Sequence, residues 1–191
     1  MEKKKTDSPT SSKGTEQSSS SKKASMKSSQ LMQLFEDGLK DIYWAENALL
    51  KAIPKMIEQT TSTELNQALT SHLQETKIQI TRLEKVFGLI KVKAEGEKCE
   101  AMAGLIKEST DIMGSCEEGS MRDAGIIAAA QKVEHYEIAT YGTLRQFAET
   151  LALTEVEKLL ATTLQEEKEA DLKLSEVAME AVNIDASEEP A

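Results

Sequence analysis

Four long segments of this chain place apolar residues at spacings of three and four, and each of the four stripes also carries carboxylates. An α-helix returns to the same face every 3.6 residues, so a stripe of this kind is the buried face of a helix. The acids on it are the constraint. A carboxylate in an apolar interior is expensive unless it is paired, hydrogen-bonded or bound to a cation. A fold that buries the four stripes against one another must also supply partners for those acids.

The first stripe runs through Leu31, Leu34, Phe35, Leu39, Ile42, Ala45, Leu49, Ile53, Met56 and Ile57, and predicts a helix from near Gln30. Pro54 lies inside it and lacks a backbone donor, which predicts a kink or a late break. The TTST run at 60–63 reads as a turn, with Thr63 as N-cap of a second helix. That helix carries Leu65, Leu69, Leu73, Ile80, Leu83, Val86 and Phe87 and fades after Gly88. Residues 91–119 form a polar connection of 29 residues that includes one short amphipathic helix, CEAMAGLIKESTDIM. A third long helix begins near Ser120 and runs through Ile126, Ile127, Ala130, Val133, Tyr141, Leu144 and Phe147. The fourth follows Thr154, which with Glu157 makes a capping box, and carries Val156, Leu159, Leu160, Leu174, Val177 and Ala181. Short turns make each helix pair an antiparallel hairpin, and the long connection can return along the bundle. The predicted fold is all-α: a ferritin-like antiparallel four-helix bundle of two helical hairpins, with a long crossover holding a short extra helix.

Composition agrees. Nine Gly and three Pro are too few for a many-stranded sandwich, and no run approaches the ~18–20 apolar residues of a membrane span. Two cysteines, Cys99 and Cys116, make no disulfide framework and are expected to be free thiols. Residues 1–30 hold ten Ser and seven Lys against three acids, a balance of 7 − 3 = +4. With the chain at −10, residues 31–191 carry −14. The first segment lacks Leu, Ile, Val and aromatics, so residues 1–30 are expected to be a disordered basic tail. Residues 31–185 form the bundle, and 186–191 are expected to fray. A folded part at −14 disfavours nucleic acid as a ligand. No apolar export segment precedes the bundle, and a cytoplasmic location is expected.

Extending the stripes places Glu46 on the first helix. His72 and Gln79 fall on the second, with Glu75 at its edge; Glu134 and Glu137 fall on the third, and Glu167 and Asp171 on the fourth. Height agrees as well. Glu46 lies 14 residues before residue 60 and Glu75 lies 15 after it, while Glu134 and Glu167 lie 17 before and 16 after residue 151. Equal offsets in antiparallel hairpins put side chains side by side. A weak repeat, LQETK at 73–77 and LQEEK at 164–168, supports two equivalent hairpins. Four like charges at mid-bundle require neutralisation, and two metal ions would supply it, as in carboxylate-bridged di-iron and di-manganese bundles. The candidate metal ligands are Glu46, Glu75, Glu134, Glu167 and Asp171. Lys132, Lys158 and Arg145 are the alternative neutralising groups in a metal-free bundle. His72 reads as a core or supporting histidine and His135 as packing or outer support. Trp44, Tyr136 and Tyr141 read as packing residues, although a tyrosine hydroxyl can hydrogen-bond a ligating acid. Met102, Met113 and Met121 read as gap-fillers.

The runs DIYWAENALLKAIPKM, SHLQETKIQITRLEKVF, AAAQKVEHYEIATYGTL and LQEEKEADLKL resemble the YciF/YciE stress-protein family of bacteria, over about residues 31–185. The resemblance implies a ferritin-like bundle similar to rubrerythrin, a dimetal site, dimerisation and a link to stress responses. It carries onto Glu46, Glu75, Glu134, Glu167 and Asp171. The Glu-x-x-His pattern of di-iron bundles is absent, since Ile78 and Ala170 stand three residues after Glu75 and Glu167. The donor set is thus rich in oxygen, and two metal ions, iron or manganese, are expected as cofactors. The expected activity is oxidation of Fe(II) or reduction of peroxide or oxygen, with Fe(II) or a small oxidant as substrate. The alternative is a metal-stabilised or metal-free bundle acting as a stress-linked interaction module. A homodimer is expected, with Tyr43 and Trp44 on a partly apolar outer face.

Overall fold

The computed structural model describes residues 16–189, with side chains described from Gln30 onward. Six α-helices form: α1 Glu16–Gln59, α2 Thr63–Leu89, α3 Glu100–Ser115, α4 Ser120–Thr150, α5 Thr154–Val177 and α6 Asn183–Glu188. A π-helical turn, Ala178–Val182, joins the last two. No strand occurs among the described residues, and none of their helices is long and apolar enough to cross a membrane.

α1 and α5 each pack on both α2 and α4, closing a ring of four helices. The three-residue turns 60–62 and 151–153 make α1–α2 and α4–α5 antiparallel hairpins. Contacts between hairpins set the remaining directions. Asp123, near the start of α4, reaches Thr61 beyond the end of α1, while Gly38 lies against Leu144. Gln79 reaches Glu167, and Arg82 reaches Thr163. Every neighbouring pair is therefore antiparallel, and α2 and α4, on a diagonal, run the same way. The chain must travel back along the whole bundle between them, and residues 90–119 do so. The Glu97 N–H donates to the Lys40 carbonyl at 3.2 Å, and the Lys40 ammonium donates to the Glu97 carboxylate at 3.0 Å. Gly96 lies so close to Trp44 that an added Cβ would sit 3.1 Å from its backbone. α3 then packs on α4 and α1. Tyr43 stacks edge-on to Phe87, with centroids 5.6 Å apart. Tyr43 and Trp44 are both half-buried, each packing on its own chain and keeping part of its surface exposed.

The helix ends depart from expectation in instructive ways. α1 runs through Pro54 without a break to Gln59. It begins at Glu16, so it extends back into the segment that precedes the apolar stripe. A helix nucleated by a packed stripe propagates into Ser, Lys and Ala without repeating the cost of nucleation. Residues 1–15 and 190–191 lie outside the described residues, and so do the parts of the tail and fraying expectations that fall on them. Ser62, not Thr63, caps α2, its side chain accepting from the Leu65 N–H at 3.2 Å. The Thr154 capping box does not form: Leu153 is the N-cap, and Glu157 instead accepts from Arg145 at 3.1 Å. Residues 186–189 are held rather than frayed, because the Glu189 carboxylate accepts from the Ser120 and Met121 N–H groups opening α4.

Two features of this frame carry measurable stability. The buried Asp123 carboxylate accepts from the backbone N–H groups of Thr61 and Ser62 (2.9 and 2.7 Å) and from the Thr61 hydroxyl at 2.7 Å, tying α4 to the α1–α2 turn. Asp123→Ala strands these donors and is expected to lower unfolding free energy by about 2–3 kcal/mol in urea titrations. Ala152, just past α4, has φ +58°, the left-handed region that penalises a Cβ. Its own N–H and that of Leu153 bond back to Glu149 and Ala148 as a helix-terminating motif. Ala152→Gly is expected to raise stability by about 1 kcal/mol in the same titration.

Candidate metal centre

The apolar faces of the four ring helices bring ionisable groups into one dry space. α1 contributes Glu46, fully buried one residue after Ala45 and three before Leu49. α2 contributes His72 and Gln79, one helical face below Leu69 and above Leu83. α4 contributes Glu134 and Glu137, a spacing of three that turns both toward the interior. α5 contributes Glu167, also fully buried. Donor atoms of His72, Glu134, Glu137 and Glu167 all lie within 4.8 Å of one another. Glu46 borders the group and is held by the Tyr141 hydroxyl, which donates to its Oε1.

Neutralisation by protein cations is incomplete. His72 Nε2 lies 3.4 Å from Glu134 Oε1, and its Nδ1 lies 3.6 Å from Glu75 Oε2, beyond hydrogen-bonding range. Arg82 is spent on Glu166, which it grips through both nitrogens at 2.6 and 2.8 Å, and on Thr163. Of the three alternative neutralising groups, Lys132 and Arg145 pair elsewhere with Glu108 and Glu157, and Lys158 is exposed. Gln79 donates its amide to Glu167 Oε1 at 2.5 Å. Left without partners are Glu46 Oε2, Glu134 Oε2, both oxygens of Glu137, Glu167 Oε2 and both nitrogens of His72. Buried polar atoms are seldom orphaned, and seven converging on one space call for a ligand.

The titration behaviour follows. Burial raises the Glu46 carboxyl to about 7, against the donated Tyr141 hydrogen bond. Burial pushes Glu134 up as well, opposed by His72. Glu137 and Glu167 are driven well above the carboxylate range, by burial first and then by their acidic neighbours. Burial alone would lower His72, but Glu134, Glu75 and Glu46 outweigh it and carry the imidazole up to about 9.

Of the five ligands expected from sequence, Glu46, Glu134 and Glu167 meet in this interior. Glu75 does not join them: it stands half-exposed at the rim, held below the usual carboxylate range by its contact with His72. Asp171 lies between α4 and α5, accepting from Gln131 at 3.1 Å and facing the exposed His135 at 3.5 Å. Glu137 and His72 take their places. Both were visible on their stripes, but the symmetric pairing of one acid per helix drew attention away from them. Tyr136 turns outward, donating to Asp41 and accepting from the Cys99 thiol. Both cysteines are free. Met102 fills the core as expected, whereas Met121 is exposed.

A family model described as "Domain of unknown function (DUF892)" matches residues 30–187. Protein YciF of Escherichia coli K12 is 47% identical over 146 residues, covering 76% of this chain and 88% of that protein. Among solved structures, the E. coli stress protein YciF aligns with a TM-score of 0.77 at 45% identity, over 80% of this chain and 97% of that one. YcfI of Rhodopseudomonas palustris aligns with a TM-score of 0.76 at 49% identity, over 78% and 95%. A Xanthomonas campestris protein at 22% identity shares the fold, with a TM-score of 0.66 over 83% of this chain and 97% of its own.

The raised pKa values fix a sign for stability. Between the ordinary carboxylate value of 4.5 and about 7, folded Glu46 holds a proton that the unfolded chain has released. Between 6.5 and about 9 the same holds for His72. The folded state binds more protons in both windows, so stability falls as pH rises. Chelator-treated protein is expected to lose a few kcal/mol between pH 5 and pH 9, read from urea unfolding at several pH values.

Proposed function

Given that the chain belongs to the DUF892 family, across residues 30–187, we propose that it is a dimetal-carboxylate protein of the bacterial stress response that oxidises Fe(II) or reduces peroxide or oxygen. The observation that carries this reading is the set of unpartnered buried atoms on Glu46, His72, Glu134, Glu137 and Glu167. Four carboxylates and one imidazole suit hard divalent ions, iron or manganese, and two such ions balance the four negative charges. The stress link rests on relatives whose E. coli member is described as a stress protein.

When bound, a pair of redox-active ions would supply one-electron chemistry toward a small oxidant. The chain's own residues do the positioning. The Tyr141 hydroxyl fixes one oxygen of Glu46 and leaves the other free. The Gln79 amide does the same for Glu167. Arg82 holds Glu166, the neighbour of Glu167, out at the α2–α5 boundary, so that only one of two adjacent acids enters the interior. His72, Glu134, Glu137 and Glu167 would hold the ions, and because His72, Glu137 and Glu167 all have raised pKa values, binding there would be coupled to proton release.

Protein purified without chelator is expected to hold about two ions per chain by elemental analysis. Metal added to apoprotein in weak buffer at pH 7 is expected to release protons, read in a pH-stat. Aerobic Fe(II) addition is expected to give saturable oxidation. Glu134→Ala and Glu137→Ala should each remove at least one ion. The chelator-treated Glu137→Ala form should unfold at higher urea than the unsubstituted apoprotein at pH 8, because it deletes a buried acid that has no partner. Metal binding without turnover would instead make the ions a structural staple of an interaction module. Full metal content in both variants would refute the site.

A further inference from the structure

A cavity of about 350 Å³ opens between α2 and α5 on one side of the centre. Glu64, Glu75, Glu169 and Lys173 line it together with the buried His72 and Glu134. Lys173 is paired with Glu176 at 3.2 Å, so its charge is offset and the mouth is left net negative. A second void, of about 10 Å³, lies inward of the same two residues, between α1, α2 and α4, and is lined by His72 and Glu134 as well. That void is otherwise apolar and too small for a hydrated ion, so the open space at the imidazole is the α2–α5 cavity, and neither ring nitrogen is hydrogen-bonded.

We propose that the α2–α5 cavity is the route by which a hydrated divalent cation reaches the buried carboxylates, with Glu75 capturing it at the rim and His72 and Glu134 receiving it at the inner end. This rests on the metal-centre reading above and adds a path and a capture residue to it. The half-exposed Glu75 carboxylate can exchange water for protein oxygen while the cation is still solvated. That carboxylate lies 3.6 Å from His72 Nδ1, so the captured cation is already beside the inner end of the cavity. Glu134, 3.4 Å from the other nitrogen, lines the same cavity and is the buried carboxylate it reaches. A negative mouth over low-dielectric walls concentrates cations and speeds their arrival.

The test uses Co(II) mixed by stopped flow with the full metal-free chain. Its visible absorption reports binding without any oxidation step. Ala170→Trp fills the cavity and is expected to slow loading at least tenfold. Glu75→Gln removes the rim charge with little change of shape and is expected to slow it at least threefold. The final absorbance of both should equal that of the unsubstituted chain. Glu155→Gln, on the exposed start of α5, should load at the unsubstituted rate. Unsubstituted rates in either cavity variant overturn the route. A lower final absorbance in Glu75→Gln makes Glu75 a resident ligand and also overturns it, while leaving the metal centre intact. Failure of the unsubstituted chain to take up Co(II) removes the metal centre and the route together.

Discussion

Mutual repulsion among buried carboxylates is the constraint on which the rest of this structure turns. Glu46, Glu134, Glu137 and Glu167 are nearly or wholly removed from water, and only one imidazole shares their space. In a medium of low dielectric such groups either keep their protons or gain cations. The ring of packed apolar residues around them would otherwise favour a uniformly apolar interior. A chain under selection for stability alone would place leucine at these positions, as it does above and below them at Leu39, Leu49, Leu144 and Leu160. The retained acids thus mark where the bundle gives up stability for a polar interior that could hold a metal ion.

The architecture serves that interior. Antiparallel contacts around the whole ring let each helix offer its middle to the same level. This requires the return segment along the bundle. Its hydrogen bond to α1 at Lys40 and the close fit of Gly96 over Trp44 hold it flat, and α3 completes the cover over α1 and α4. Among the described residues no such segment covers the side between α2 and α5, and the cavity reaching His72 lies there.

Much of the fold was legible because hydrophobic periodicity is a local property repeated over many residues. The long stripes from Phe35 to Met56 and from Ile126 to Leu144 define helices, and two short turns define hairpins. Single-residue features were less legible. Ser62 and Thr63 are both acceptable caps, and only the backbone at Ser62 (φ −70°, ψ 127°) decides between them. Glu157 is in place for a capping box, but Arg145 on the adjoining helix claims it. The same holds for the acids. In the internal repeat, Glu75 corresponds to Glu166 and Thr76 to Glu167, and in both helices it is the second of the two that points inward. One step along a helix is a rotation of 100°, which separates the rim from the interior.

The amino-acid pattern by itself determined that four amphipathic helices pair as two hairpins and that acids ride on their buried faces, because periodicity and turn length require no knowledge of the neighbours. Tertiary structure alone decided which of those acids meet. It turned Glu75 to the rim and Asp171 to the α4–α5 seam, and brought Glu137 and His72 inward. The reason is geometric: a stripe is wide enough to hold several candidates, and the tilt and rotation of each helix, set by its packing on two neighbours, select the residue that faces the centre.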